Sequence, residues 1–180
     1  SYIDKPIYTN ITINNSKIET NGYHVGGVTG YGDCNYCKVN NTEIRGLYYV
    51  GGVVGHPRAA YQYGNEVRNS KIYGSSYYVG GVYGASTYIY DMFLIDSEVH
   101  GTTADTYAVG GISGYENGYG LMYRCGVINS TITNPGDRTG GIVGYSSADL
   151  SGCYTTSEVY CNSYGFVFEK TTGKKNIGNK

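Results

Sequence analysis

The chain has 180 residues, of which 29 are Gly, 23 Tyr, 3 Pro and none Trp; 40% are hydrophobic, 15% charged, and the net charge is −1. That apolar content is set at fixed spacing, which argues against disorder, and the length suits one domain. Apart from Lys174-Lys175 no basic cluster exists, so nucleic acid is excluded as a partner; no apolar run approaches about 18 residues, so no membrane insertion is expected.

The predicted elements repeat in chain order. The first unit holds Ile13, then Asn15-Ser16-Lys17-Ile18, then Val25-Gly26-Gly27-Val28-Thr29-Gly30. The second holds Val39, Asn41-Thr42-Glu43-Ile44 and Val50-Gly51-Gly52-Val53-Val54-Gly55. The third holds Val67, Asn69-Ser70-Lys71-Ile72 and Val79-Gly80-Gly81-Val82-Tyr83-Gly84. The fourth runs Leu94, Asp96-Ser97-Glu98-Val99 and Val109-Gly110-Gly111-Ile112-Ser113-Gly114. The fifth runs Val127, Asn129-Ser130-Thr131-Ile132 and Thr139-Gly140-Gly141-Ile142-Val143-Gly144. A decayed sixth follows: Tyr154, Thr156-Ser157-Glu158-Val159 and Gly165-Phe166. The first glycines of the pairs are 25, 29, 30 and 30 residues apart. A period of that size signals stacked units, none of which can bury its apolar face alone.

Each unit carries three short apolar runs, rich in β-branched residues and too short for helices. They predict three short strands per coil of a right-handed parallel β-solenoid of about six coils. At about 4.8 Å per coil the rod core is near 29 Å long. Three aliphatic columns follow: the isoleucines and valines of the Asn-Ser/Thr signature, the valines before the glycine pairs, and the aliphatics after them. The last two sets are three residues apart, so a bend at the glycine pair must turn both inward, and glycine suits a bend because it accepts positive φ. The Asn/Asp of the signature predicts a second corner, in the left-handed region. Insertions fall at 30–42, 102–105 and 114–130. Residues 1–168 are read as one solenoid domain and 169–180 as a tail or the start of a further coil. No end cap is evident, so the chain is expected to be part of a longer polypeptide, with end-to-end self-association a possible outcome of its open ends.

The pairing of Asn-Ser-x-Ile/Val with Val-Gly-Gly-Val/Ile-x-Gly resembles the GLUG-type repeat of large bacterial surface and secreted proteins, over about residues 11 to 168. Such repeats accompany IgA-cleaving metallopeptidases and occur in adhesin-like proteins. The resemblance implies an extracellular or cell-surface stalk or display module. It implies no catalysis within these residues: the His-Glu-x-x-His zinc motif of such peptidases is absent, and His24, His56 and His100 stand apart in sequence.

Three sets of side chains carry possible chemistry. Tyr23, Tyr48, Tyr77 and Tyr107 each lie three residues before a glycine pair, and Tyr49 and Tyr78 lie one further on. They are expected to stack as a column that stabilises neighbouring coils and offers flat faces to a host or microbial glycan or a surface protein. Of the five cysteines, Cys125 and Cys153 fall at similar offsets in adjacent units and are a candidate disulfide, whereas Cys34 and Cys37 are a candidate local pair or two free thiols. No metal or cofactor is expected. The competing reading is a polysaccharide-cleaving β-helix enzyme using Asp33, Asp91 or Asp105, which sit at irregular offsets from the repeat. A self-assembling surface filament is a third reading.

Overall fold

The computed structural model describes residues 7–58, 61–161 and 164–166, and every regular element among them is a strand, most of them three or four residues long. Each strand pairs in parallel with its counterpart in the next unit, giving a β-solenoid of about five turns. Sheet 1 contains Thr12–Asn14, Lys38–Asn40, Glu66–Arg68, Phe93–Ile95, Gly126–Ile128 and Tyr154–Thr155. Sheet 2 contains Lys17–Glu19, Glu43–Gly46, Lys71–Gly74, Glu98–Gly101, Thr131–Asn134 and Glu158–Cys161. Sheet 3 contains His24–Gly26, Tyr49–Gly51, Tyr78–Gly80, Ala108–Gly110, Arg138–Gly140 and Tyr164–Phe166. These are the three strand runs of the repeat. The coil also has a fourth side, sheet 4, built from the residues after the glycine pair: Thr29–Tyr31, Val54–His56, Tyr83–Tyr90, Ser113–Tyr123 and Val143–Tyr145. The far ends of its two long strands pair with Gln62–Tyr63 and Asp149–Ser151, and Ile7–Thr9 pairs with Asp33–Asn35, which makes a fifth short flank. Three strands per coil therefore undercounts the circuit. The first part of the insertion at 114–130 is absorbed as continuous strand as far as Tyr123, with a register shift between Ser86 and Tyr88 of its partner.

The aliphatic columns run through the interior. Ile18, Ile44, Ile72, Val99, Ile132 and Val159 are register partners from coil to coil. The four central members are fully buried, while Ile18 and Val159, in the outermost coils, are half-covered. In the sheet 1 wall Ile13, Val39, Val67, Leu94 and Val127 are followed by Thr155 rather than Tyr154, which pairs with Gly126 and faces outward.

The corner between sheets 1 and 2 is built by backbone conformation. Asn15, Asn41, Asn69, Asp96 and Asn129 all lie at φ between 46° and 49°, the left-handed region that Asn and Asp tolerate best. Beside them runs a hydroxyl ladder. The amide of Thr42 donates to Ser70 Oγ, that of Ser70 to Ser97 Oγ and that of Ser97 to Ser130 Oγ, each at 3.1 Å. Each of those hydroxyls donates in turn to the carbonyl two residues earlier in its own coil. Backbone polar groups buried at the corner are thus satisfied without a strand. A further left-handed corner precedes sheet 1, at Asn10, Tyr36, Gly64, Asp91, Arg124 and Gly152.

Candidate functional site

The repeat glycines do a different task from the one expected of them. Among the described residues the glycines at positive φ are Gly64 and Gly152, not those of the repeat. What the repeat glycines lack is room for a Cβ. The chain runs up sheet 3, turns at the second glycine and returns along sheet 4, so the two sheets lie back to back at their outward faces. The first and last glycines of each motif form that contact. A Cβ on Gly26 or Gly51 would run into the carbonyl oxygen of Thr29 or Val54 in its own coil, and one on Gly55 would lie 2.6 Å from the Val25 nitrogen and 2.8 Å from the Tyr49 oxygen. Gly80 and Gly110 are crowded in the same way by Tyr83 and Ser113. The second glycines form the tip, which presses into the core: a Cβ on Gly27 would be 2.9 Å from Val39 Cγ2, one on Gly52 2.7 Å from Val67 Cγ2, one on Gly81 2.7 Å from Leu94 Cδ2, one on Gly111 2.7 Å from Val127 Cγ2 and one on Gly141 2.8 Å from Thr155 Cγ2. The motif is a wedge folded into the solenoid. Gly140 ends a strand of the same sheet, in register with Gly110.

Outside the wedge, over the glycines, two rows of side chains face each other across a narrow cleft that their own rings fill. One wall carries the residue before each Val-Gly-Gly: His24, Tyr49, Tyr78, Ala108 and Arg138, in register. The other carries the residue after each final glycine: Tyr31, His56, Ala85, Tyr115 and Tyr145. Rings meet across it. His24 and Tyr31 have centroids 5.5 Å apart, Tyr49 and His56 5.0 Å, and the Arg138 guanidinium lies 4.5 Å from the Tyr145 ring centre. In the middle coils two alanines oppose the two large rings, and Tyr78 and Tyr115 lean over them to stack at 4.6 Å and 19°. Tyr115 and Tyr145 continue the stack at 5.9 Å and 12°.

The six tyrosines singled out by spacing all border this cleft, but not as one column. Tyr23 stacks on Tyr48 at 4.5 Å and 10°, and Tyr48 meets Tyr77 at 5.3 Å, which makes a rim outside the first wall. Tyr49 and Tyr78 belong to the wall itself. Tyr107 packs edge-on against Tyr78 at 5.7 Å and Tyr145 at 6.0 Å, with the Arg138 guanidinium 4.0 Å above its ring. Tyr23, Tyr31, Tyr77 and Tyr145 are 65%, 50%, 49% and 44% exposed, so the surface is open to solvent along much of its length. Burial, reinforced by Tyr49, pushes the Tyr78 phenol above its ordinary range, and burial together with His56 lowers the His24 imidazole. His24 and His56, distant in sequence, have rings 5.4 Å apart.

His24, Tyr31, His56, Tyr115, Tyr145 and Arg138 were not singled out by sequence spacing. The signal was present: the position after Val-Gly-Gly-x-x-Gly reads Tyr, His, Ala, Tyr, Tyr. A second aromatic surface, Tyr61, Tyr63, Tyr88, Tyr90 and Tyr123, covers the fifth flank.

Cys34 and Cys37 are free and fully buried; their amides donate to Gln62 Oε1 and Asn65 Oδ1, and burial, then the neighbouring Cys37, drives the Cys34 thiol strongly upward. Cys125 and Cys153 are also free and buried, on adjacent coils. Among the described residues no group of three His, Cys, Asp or Glu side chains is placed to hold a metal ion. The three carboxylates considered for catalysis lie in separate settings. Asp33 is buried and accepts from the Arg58 amide and Gln62, Asp91 holds Arg124 through two bonds of 2.6 and 2.7 Å, and Asp105 is exposed in a loop.

No family model matches the chain, and no curated protein matches it in sequence. Among solved structures it is similar to a "putative immunoglobulin A1 protease" from Bacteroides ovatus, with a TM-score of 0.44 and 14% identity, over 88% of this chain and 67% of that one.

Proposed function

We propose that the chain is a non-enzymatic, extracellular repeat module that binds carbohydrate along its aromatic cleft. The observation that carries this is the continuous tyrosine and histidine surface following the rod axis over five coils, with four of its tyrosines between 44% and 65% exposed. Exposed aromatic rings at roughly coil spacing suit contacts to successive sugar rings, and their hydroxyls and the imidazoles supply polar contacts. The GLUG-type signature supports a surface-display setting, and the separate placement of Asp33, Asp91 and Asp105 supports a binding rather than a cleaving role. A glycan array tests it. The parent chain should bind a subset of polysaccharides without releasing new reducing ends. The combined variant Tyr23→Ser, Tyr31→Ser and Tyr77→Ser should lose that binding with an unchanged circular-dichroism spectrum. Binding that survives the triple variant, or product release that depends on Asp91, would overturn the reading.

A further inference from the structure

The left-handed corner ahead of sheet 1 is followed in each coil by one residue: Ile11, Cys37, Asn65, Met92, Cys125 and Cys153. The last two are direct neighbours, because Tyr123 pairs with Ser151 and Gly126 with Tyr154, which brackets Cys125 opposite Cys153. Adjacent parallel strands lie about 4.8 Å apart, inside the Cα separation of about 4.4 to 6.8 Å that a disulfide spans. Their exposures are 0% and 1%. Cys125 Sγ donates to the Tyr123 carbonyl at 3.6 Å, and Cys153 Sγ to those of Met122 at 3.4 Å and Ser151 at 3.6 Å.

We propose that Cys125 and Cys153 are an inter-coil disulfide site, closed when the folding chain meets a small-molecule or protein disulfide. Cys153 is the attacking thiol. In the folded chain the neighbouring Cys125 thiol lowers that of Cys153, while burial and the neighbouring Cys153 raise that of Cys125. The Cys153 thiolate attacks one sulfur of the external disulfide and expels the other as a thiolate. Cys125 passes its proton to that leaving thiolate and attacks Cys153 Sγ, expelling the second external thiolate, which takes up the proton that Cys153 released. The two protein thiols are oxidised, and the external disulfide is reduced to two thiols.

The site lies where a tie matters. Its outer coil is thinly covered, with Thr155 and Val159 half-buried where the preceding coils place fully buried Val127 and Ile132. Cys34 and Cys37 belong to one coil, so a bond between them would tie no coil to its neighbour.

The test is refolding of the full chain with oxidised glutathione, against a dithiothreitol control. The oxidised protein should lose the mass of two hydrogens, and peptide mapping should join Cys125 to Cys153. A variant carrying Cys34→Ala, Cys37→Ala and Cys161→Ser should give the same mass loss. The bond should also slow protease cleavage between residues 149 and 161 several-fold, an effect absent in Cys153→Ser. A stable glutathione adduct on Cys153, a crosslink confined to Cys34 and Cys37, or two alkylatable thiols at 125 and 153 after oxidation would each overturn the proposal.

Discussion

Two kinds of corner turn this chain. At the junction of sheets 1 and 2 the turn is made by a dihedral angle: one Asn or Asp per coil goes left-handed, and a hydroxyl ladder takes up the freed backbone groups. At the junction of sheets 3 and 4 no residue of the glycine motif needs an unusual angle; the turn is made by missing atoms, because backbone approaches backbone where a Cβ would stand. A left-handed Asn can be replaced at the cost of conformational strain and, where its side-chain amide bonds a neighbouring coil as Asn41 does Asn15, of one exposed hydrogen bond. The second glycine of a pair cannot be replaced without moving a neighbouring coil, since the atom nearest its missing Cβ belongs to the next repeat: the carbonyl oxygen of Gly52 for Gly27, of Gly81 for Gly52 and of Gly111 for Gly81.

Substitution separates the two devices. Gly81→Val should have the largest effect. Its first carbon would collide with the Gly111 carbonyl and lie 2.7 Å from Leu94, and we expect a loss of about 3 kcal/mol in denaturant unfolding. A variant that unfolds at the parent's denaturant midpoint would show that the wedge is loose. Asn69→Ala should cost only about 1 kcal/mol, with Asn69→Gly close to neutral; equal losses for both would mean that the side chain, not the angle, matters. Third, a double-mutant cycle on Tyr78→Ala and Tyr115→Ala should give a coupling energy of about 0.5 to 1.5 kcal/mol if the cleft rings stabilise the wedge from outside. The smallest effect concerns His24. Folding lowers its affinity for protons from the ordinary value of 6.5, so the unfolded chain binds more protons just below that pH and stability falls on acidification. The thermal midpoint should therefore drop between about pH 7.5 and about pH 5.5, and His24→Phe should shallow that slope.

The columns and the Asn corner were legible because one residue type repeats at one offset. The corner ahead of sheet 1 was not: Asn10, Tyr36, Gly64, Asp91, Arg124 and Gly152 share a backbone conformation and no chemistry. There the coil-to-coil ladder imposes the angle, as when the Tyr36 amide donates to the Tyr63 carbonyl at 2.8 Å. Sheet 4 was hidden because segments such as Thr29-Gly30-Tyr31 and Val54-Gly55-His56 carry glycine at their centres and read as loop. The role of the final glycine could not be read within one repeat, since the atoms crowding Gly55 include Val25 and Gly30 of the preceding coil. Among the cleft residues, the tyrosines before the pair showed by spacing, while their partners across the cleft required the fold.

The alternation of large and small residues along the cleft bears on how the chain finds its own order. Interior columns of near-identical valines and isoleucines cannot distinguish one coil from the next, so a coil docked one place too far along would satisfy them almost equally well. The cleft can: Tyr78 fits over Ala108, Tyr115 over Ala85, and Arg138 belongs beside Tyr107 and Tyr145. A displaced coil would set ring against ring or leave an alanine bare. The seam thus acts as an address label on each repeat, and swapping whole repeats should scramble assembly even though every interior column would remain filled.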